Sequence, residues 1–259
     1  MKRLYLLVGM LVFLTFYYYL AAESNEKYRA DHIFHAGERL TYSISWSNIF
    51  EAGVAIMEIR EETSAQGRRT YRATSTARTV GIVKTFYPVS DVIMSVIDAE
   101  GFYSLSYELN QRHGKRKRHR ITLFDHEVGT VSMTSDGIKE TYHIPFRVQD
   151  PLSALYYLRT KESLDTGASV IVDVFDKGKT WSVEIQILGR EKVRTPLGEF
   201  DAIKVVTYPK YEGVFQHKGE IFIWLTDDAR KIPVLMMSTV AIGSIVATLV
   251  EITPKEWRQ

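Results

Sequence analysis

The residues able to do chemistry are few and poorly arranged for it. His32 and His35, followed by Glu38, are a candidate set of metal ligands, but structural zinc needs four convergent ligands and no further histidine stands at ligand spacing. His113, His119, His126, His143 and His217 are scattered. Asp227 and Asp228 are a pair of the kind that serves acid–base catalysis. Their neighbours Thr226, Arg230 and Lys231 instead read as a turn in which aspartate binds its own backbone. There is no Gly-x-Ser-x-Gly elbow, P-loop or dinucleotide fingerprint. With no cysteine, the chain has no disulfide, thiolate nucleophile, cysteine zinc site or cysteine to carry a lipid. The expectation is a protein without catalytic residues, metal or cofactor: not an enzyme.

One charge cluster stands out, Arg112-His113-Gly114-Lys115-Arg116-Lys117-Arg118-His119-Arg120. Gly114 suits a hairpin tip. The run reads either as a solvated hairpin whose Lys and Arg protect a sheet edge, or as a patch for anionic lipid headgroups or a partner. In the second reading Arg112, Lys115, Arg116, Lys117, Arg118 and Arg120 make the contacts.

The elements that position these residues follow from composition and periodicity. Of 259 residues, 45% are hydrophobic and 25% charged, as in ordinary folded proteins. The formal charge of +2 comes from Lys2 and Arg3, and the remaining 31 basic and 31 acidic residues balance. That balance excludes broad nucleic-acid binding, which needs a basic surplus. Lys2 and Arg3 precede an uncharged apolar run over residues 4–22, an export signal long enough to approach a membrane span. It is either cleaved or kept as an inner-membrane anchor. Leu20 at the −3 position is bulkier than cleavage favours, and the basic start leaves the rest outside the cytoplasm. Residues 23–36 read as a polar tether and 37–253 as one domain.

In that domain Leu40, Tyr42, Ile44 and Trp46 alternate with Thr41, Ser43, Ser45 and Ser47, which is the period of a strand with one buried face. Eight such stretches precede residue 150 and six follow residue 160. The third places Tyr71, Ala73, Ser75 and Ala77 on one face; their small size leaves room either for a hollow or for another element packed close. Residues 81–88 read as a loop or short helix at a rim. Between the two sets of strands lies the strong helix signal, Asp150 to Arg159. Asp150 is a good N-cap, Pro151 suits the first turn, and Leu152, Leu155 and Tyr156 share a face. A lone amphipathic helix among strands must cover or plug their sheet. The predicted fold is therefore mainly β: a strongly curved antiparallel sheet forming an open or closed barrel, one covering helix near 150–160, and an N-terminal hydrophobic signal or anchor helix.

Four ordered stretches carry a family resemblance: Gly37 to Tyr42, Phe86 to Asp91, Asp150 to Arg159, and Trp224 to Pro233. Together they resemble the bacterial envelope family catalogued as domain of unknown function 3108, which implies an exported all-β protein and brings no established reaction or ligand. In outline the fold is also similar to the periplasmic lipoprotein carriers, open half-barrels whose helices cover an acyl-chain cavity. The expected function is a periplasmic binding or carrier protein for a lipid, a lipidated ligand or another hydrophobic envelope component. Leu40, Tyr42, Ile44, Trp46, Ala73, Ala77, Trp181 and Val183 would line the cavity and Leu155 and Tyr156 would close it. The alternative is an envelope assembly factor with a packed interior, acting through its outer surface.

Overall fold

The computed structural model describes residue 34 and residues 37–64, 67–211, 214–215, 220–239 and 243–254. The leader and most of the tether lie outside these residues, as do His32 and His35. Eight strands come first: β1 Glu38–Trp46, β2 Phe50–Thr63, β3 Arg69–Thr79, β4 Val89–Asp98, β5 Ser104–His113, β6 Arg116–Asp125, β7 Thr130–Ser135 and β8 Ile138–His143. A short helix, α1 Gly81–Phe86, joins β3 to β4, and the predicted covering helix is α2 Ser153–Arg159. The second set is β9 Ser169–Asp176, β10 Lys179–Thr195, β11 Gly198–Tyr211, β12 Val214–Phe215, β13 Ile221–Thr226, β14 Pro233–Thr239 and β15 Ser244–Thr253. Every predicted strand is present; β12 and the extension of β10 through a bulge at Gly189 are additions.

Every neighbouring pair in the sheet is antiparallel, and the order is β8-β7-β6-β5-β4-β3-β2-β1-β15-β14-β13-β11-β10-β9, with β12 beside β11. The first and last strands thus pair in the middle, through Leu40 opposite Ile252 and Tyr42 opposite Leu249. The two edges, β8 and β9, are the strands on either side of α2 in sequence. The chain between them must cross the opening, and it partly fills it. Gln149 donates its N–H to Asp173 O and accepts from Phe175 N–H, both at 2.8 Å, while Ser104 N–H reaches Val148 O at 3.3 Å. Arg120 on β6 meets Asp176 at the end of β9 at 2.9 Å, and the Tyr142 and Phe175 rings lie 5.6 Å apart. The result is an open barrel held shut by one crossing segment and by side chains.

Because the β1–β2, β3–β4, β5–β6, β9–β10 and β14–β15 connections follow strands running the same way, they share one end, here called the rim. The far end is closed by Phe34, Phe102 and Tyr71. Phe34 stacks on Phe102 at 5.5 Å and meets Tyr71 edge-on at 6.0 Å, so this residue of the predicted tether belongs to the core. The core has two parts, both touching α2. Leu152 and Tyr156 face a cluster with Leu40, Tyr42, Ala73, Ile97 and Leu249. Leu158 faces a second, with Leu164, Ile187, Ile203, Val205 and Leu225.

Two buried polar groups fix α2. Asp150 is fully buried; its Oδ1 accepts from the N–H groups of Leu152 and Ser153 at 2.7 and 2.9 Å, and Ser153 Oγ accepts in return from Asp150 N–H. This is a reciprocal capping arrangement. Its Oδ2 accepts from the hydroxyls of Ser95 and Ser104. Ser95 is the ladder partner of Ala73, so the small face of β3 and its neighbour makes room for the helix start. At the other end, Arg159 donates through Nη1 and Nη2 to the two oxygens of Glu38, each at 2.7 Å, and through Nε to Arg230 O at 3.1 Å. Both side chains are 1% exposed. The guanidinium also lies over Phe34, 4.8 Å from the ring centroid.

Breaking a buried pair leaves a charge with no water, so Glu38→Gln and Arg159→Met are each expected to lose about 3–5 kcal/mol in urea unfolding, whereas Glu38→Leu with Arg159→Met recovers much of the loss. Single variants within about 1 kcal/mol of the parent would show that the pair does not secure the helix. At Asp150 burial pushes the carboxyl above its usual pKa, against the opposing hydrogen bonds from Ser104, Ser95 and the backbone. A raised acid pKa means that ionisation costs stability as pH rises through it. Asp150→Asn keeps an oxygen for the helix N–H groups, while the serine hydroxyls can turn to accept from its amide. It is expected to stay within about 1 kcal/mol of the parent at neutral pH, while Asp150→Ala orphans the buried donors and costs roughly 3 kcal/mol.

Candidate functional site

On the rim side of α2 the packing stops. A cavity of about 260 Å³ lies between the helix and the inner faces of β9, β10, β11 and β13. Its walls follow from register: Val172 pairs with Val183, and Thr207 pairs with Ile185 on one side and Ile221 on the other, which puts these side chains in rows on one face. Pro151, Ala154 and Leu155 form the roof, and among the described residues Thr207 is the only polar side chain of the lining. Among the described residues no charged side chain lines the cavity, so it can sort ligands by shape and apolar contact.

The predicted cavity residues divide among three places. Leu155 and Val183 meet in the cavity itself. Leu40, Tyr42, Ala73 and Tyr156 do not line a space: they are fully buried in the first core cluster, with the Tyr42 hydroxyl donating to Pro233 O at 2.8 Å and the Tyr156 ring 5.4 Å from that of Phe34. Burial pushes the pKa of both tyrosines up, so each hydroxyl stays protonated. Ile44, Trp46, Ala77 and Trp181 are half-buried further toward the rim. Lys179 Nζ lies 4.5 Å from the Trp181 ring centroid. The sequence did not single out Ala154, Val172, Ile185, Thr207 and Ile223. Ile185 stood in the same alternating row as Val183, and Ile223 in a run apolar on both faces, but neither signal says which half of the sheet stays unfilled.

The charge cluster is likewise divided. Arg120 is not at the surface: it is 6% exposed and pairs with Asp176. The inward row of β6 that holds Thr122 and Phe124 contains it, because side chains two residues apart share a face. Arg116 and Arg118 start the same row at the exposed rim, while Arg112 faces Lys117 on the convex side and Lys115 sits at the tip.

Elsewhere the chemistry-bearing residues have structural work. Asp228 accepts from the Thr226 hydroxyl and from the N–H groups of Arg230 and Lys231, capping its own turn as predicted, and Asp227 pairs with Arg190 at 2.7 Å. A larger convex groove, about 730 Å³, runs past Arg68, Tyr103, Asp125 and His126. There the His126 Nε2 lies 2.7 Å from Ser104 O, and burial holds its pKa below the usual histidine value. Among the described residues no three His, Asp or Glu converge as metal ligands, and no helix is long and apolar enough to cross a membrane.

Among solved structures, the chain is similar to a β-barrel-like protein of the domain of unknown function DUF1849 from Brucella abortus, with a TM-score of 0.57 at 13% identity over 85% of this chain and 98% of that one. At that identity the likeness shows the fold alone. A candidate exported protein with a YmcC-like fold from Bacteroides fragilis aligns with a TM-score of 0.37 at 9% identity, over 84% of this chain and 96% of that one. A candidate lipoprotein from Parabacteroides distasonis gives 0.32 at 11% identity, over 84% and 95%. No curated protein matches the sequence. Residues 41–250 match the sequence model described as "Protein of unknown function (DUF3108)", and so, with most of the open barrel inside that match, the chain belongs to the DUF3108 family.

Proposed function

We propose that the protein is a non-enzymatic carrier or binding protein of the bacterial periplasm, exported by its N-terminal segment, whose ligand is an acyl chain or another slender hydrophobic group. The observation that carries the reading is the apolar cavity under α2, with a single polar side chain in its walls among the described residues. Its size narrows the ligand. Small-molecule pockets run from roughly 300 to 1,000 Å³, and a cavity of about 260 Å³ suits the end of one chain better than a folded lipid. A clamped roof also suits a carrier, since a rigid wall keeps the site from collapsing when empty.

The alternative, an assembly factor with a packed interior, draws support from the solid cluster around Tyr42, Tyr71 and Tyr156. The two readings separate at the cavity. Native mass spectrometry of the gently purified full-length chain is expected to detect a co-purifying lipid. A fluorescent fatty acid is expected to bind the parent and to bind Val183→Trp about tenfold more weakly, because the indole fills the space. Absence of lipid together with equal probe binding by parent and variant would sink the carrier reading and leave the assembly factor.

A further inference from the structure

Three connections crowd one sector of the rim. The β1–β2 turn carries Ile49 and Phe50, the β3–β4 connection is α1 with Tyr87 after it, and the β5–β6 hairpin carries Arg112 to Lys117. Backbone bonds lock them together: Val80 N–H donates to Ala52 O at 3.1 Å and Gly114 N–H to Pro88 O at 2.8 Å. Yet α1 buries none of its residues. Ile82 and Phe86, one turn apart, are 72% and 80% exposed, and Ile49 is 78% exposed. Large apolar side chains held together in water by a fixed backbone mark an interaction surface.

The flanking charge identifies what that surface meets. Arg78, Lys84 and Arg112 surround a pocket of about 210 Å³ with Thr79 and Ser90. Arg78, Ser90, Arg112 and Lys117 are successive ladder partners, so the row continues into the hairpin. Among the described residues none of these four cations has a salt bridge. Asp91, next to Ser90 on β4, is engaged by His113 at 2.9 Å and Gln111 at 3.1 Å, and Glu51, in the strand that follows the β1–β2 turn, is exposed. Apolar tips between unpaired cations match a bilayer interface, where apolar groups sink to the acyl boundary and Lys or Arg meets anionic headgroups.

We propose that this sector of the rim docks on the surface of a bilayer containing anionic lipid. Ile49, Phe50, Ile82 and Phe86 enter the headgroup–acyl boundary, and Arg78, Lys84 and Arg112 hold lipid phosphates. Val183 and Thr207 lie in the rim-ward halves of β10 and β11, and Ile221 begins β13 at the rim. Docking would therefore turn the cavity toward a source of acyl chains; that consequence rests on the carrier reading, and the docking itself does not.

The absence of cysteine makes a clean test available. An environment-sensitive fluorophore is attached to Phe86→Cys in the full-length chain, and to Val128→Cys at the opposite end, which is 70% exposed. The leader is common to all variants, so comparisons between them cancel its contribution. Vesicles of phosphatidylcholine with phosphatidylglycerol should shift the probe at residue 86 to the blue and expose it to a lipid-borne quencher, leaving residue 128 in water. Changing Arg78, Lys84 and Arg112 to Gln should weaken the response about fivefold per cation removed, with an unchanged thermal midpoint. Ile82→Ser should weaken it without altering charge. Equal responses at 86 and 128, indifference to phosphatidylglycerol, or a response that appears only when an envelope protein is added would overturn the proposal. Lipid occupancy is read separately by mass spectrometry, so failure of docking and failure of the carrier reading are distinguishable.

Discussion

The fold depends on holding a short helix in place across the inside of a sheet that does not close. Seven residues cannot do this by helical stability, because isolated helices below about 12 residues are marginal in water. The buried Glu38–Arg159 pair supplies the constraint. It joins the last turn of α2 to the first residue of β1, while the Nε of Arg159 reaches the β13–β14 turn through Arg230 O. Three parts of the chain distant in sequence are thereby fixed to one planar group. Such a pair contributes little net stability against a hydrophobic substitute. Its value here is positional, since no shift of the helix preserves a two-oxygen contact to a 1% exposed carboxylate.

With that position set, the interior divides. Toward β1–β5, Tyr42, Tyr71, Phe34 and Tyr156 fill the far end with rings, and the small side chains Ala73 and Ser95 let the Asp150 cap approach. Toward β9–β13 the facing rows are Val and Ile, and the roof above them is Pro151, Ala154 and Leu155. Short roof residues over branched walls leave a gap, and a lining with one hydroxyl among the described residues gives water few partners there. Solidity on one side lends rigidity to the hollow on the other.

The topology also explains why the sheet stays open. β8 and β9 are consecutive strands separated by the crossing segment, so the residues that might have zipped them together are spent on placing α2. Gln149 substitutes for a missing ladder with a single parallel bridge to Val174. Arg120, which in sequence looks like one more member of a surface charge run, turns inward to Asp176 and helps span the same gap.

The sequence by itself determined the strand-rich meander, the place of the helix and its cap. Alternation, turn residues and an Asp-Pro start are local signals, read within a few residues of one another. It also held both candidate walls, since Val183 and Tyr42 stand in equally clean alternating rows. Only the tertiary structure decided which row faces space and which faces rings. Alternation tells which side chains point inward but not how far away the opposite wall lies, and that distance depends on where Glu38 and Arg159, 121 positions apart, pull the helix. The same holds for Arg120 against Arg118: two residues apart on one face, they differ because one lies deep enough to find Asp176 and the other remains at the rim.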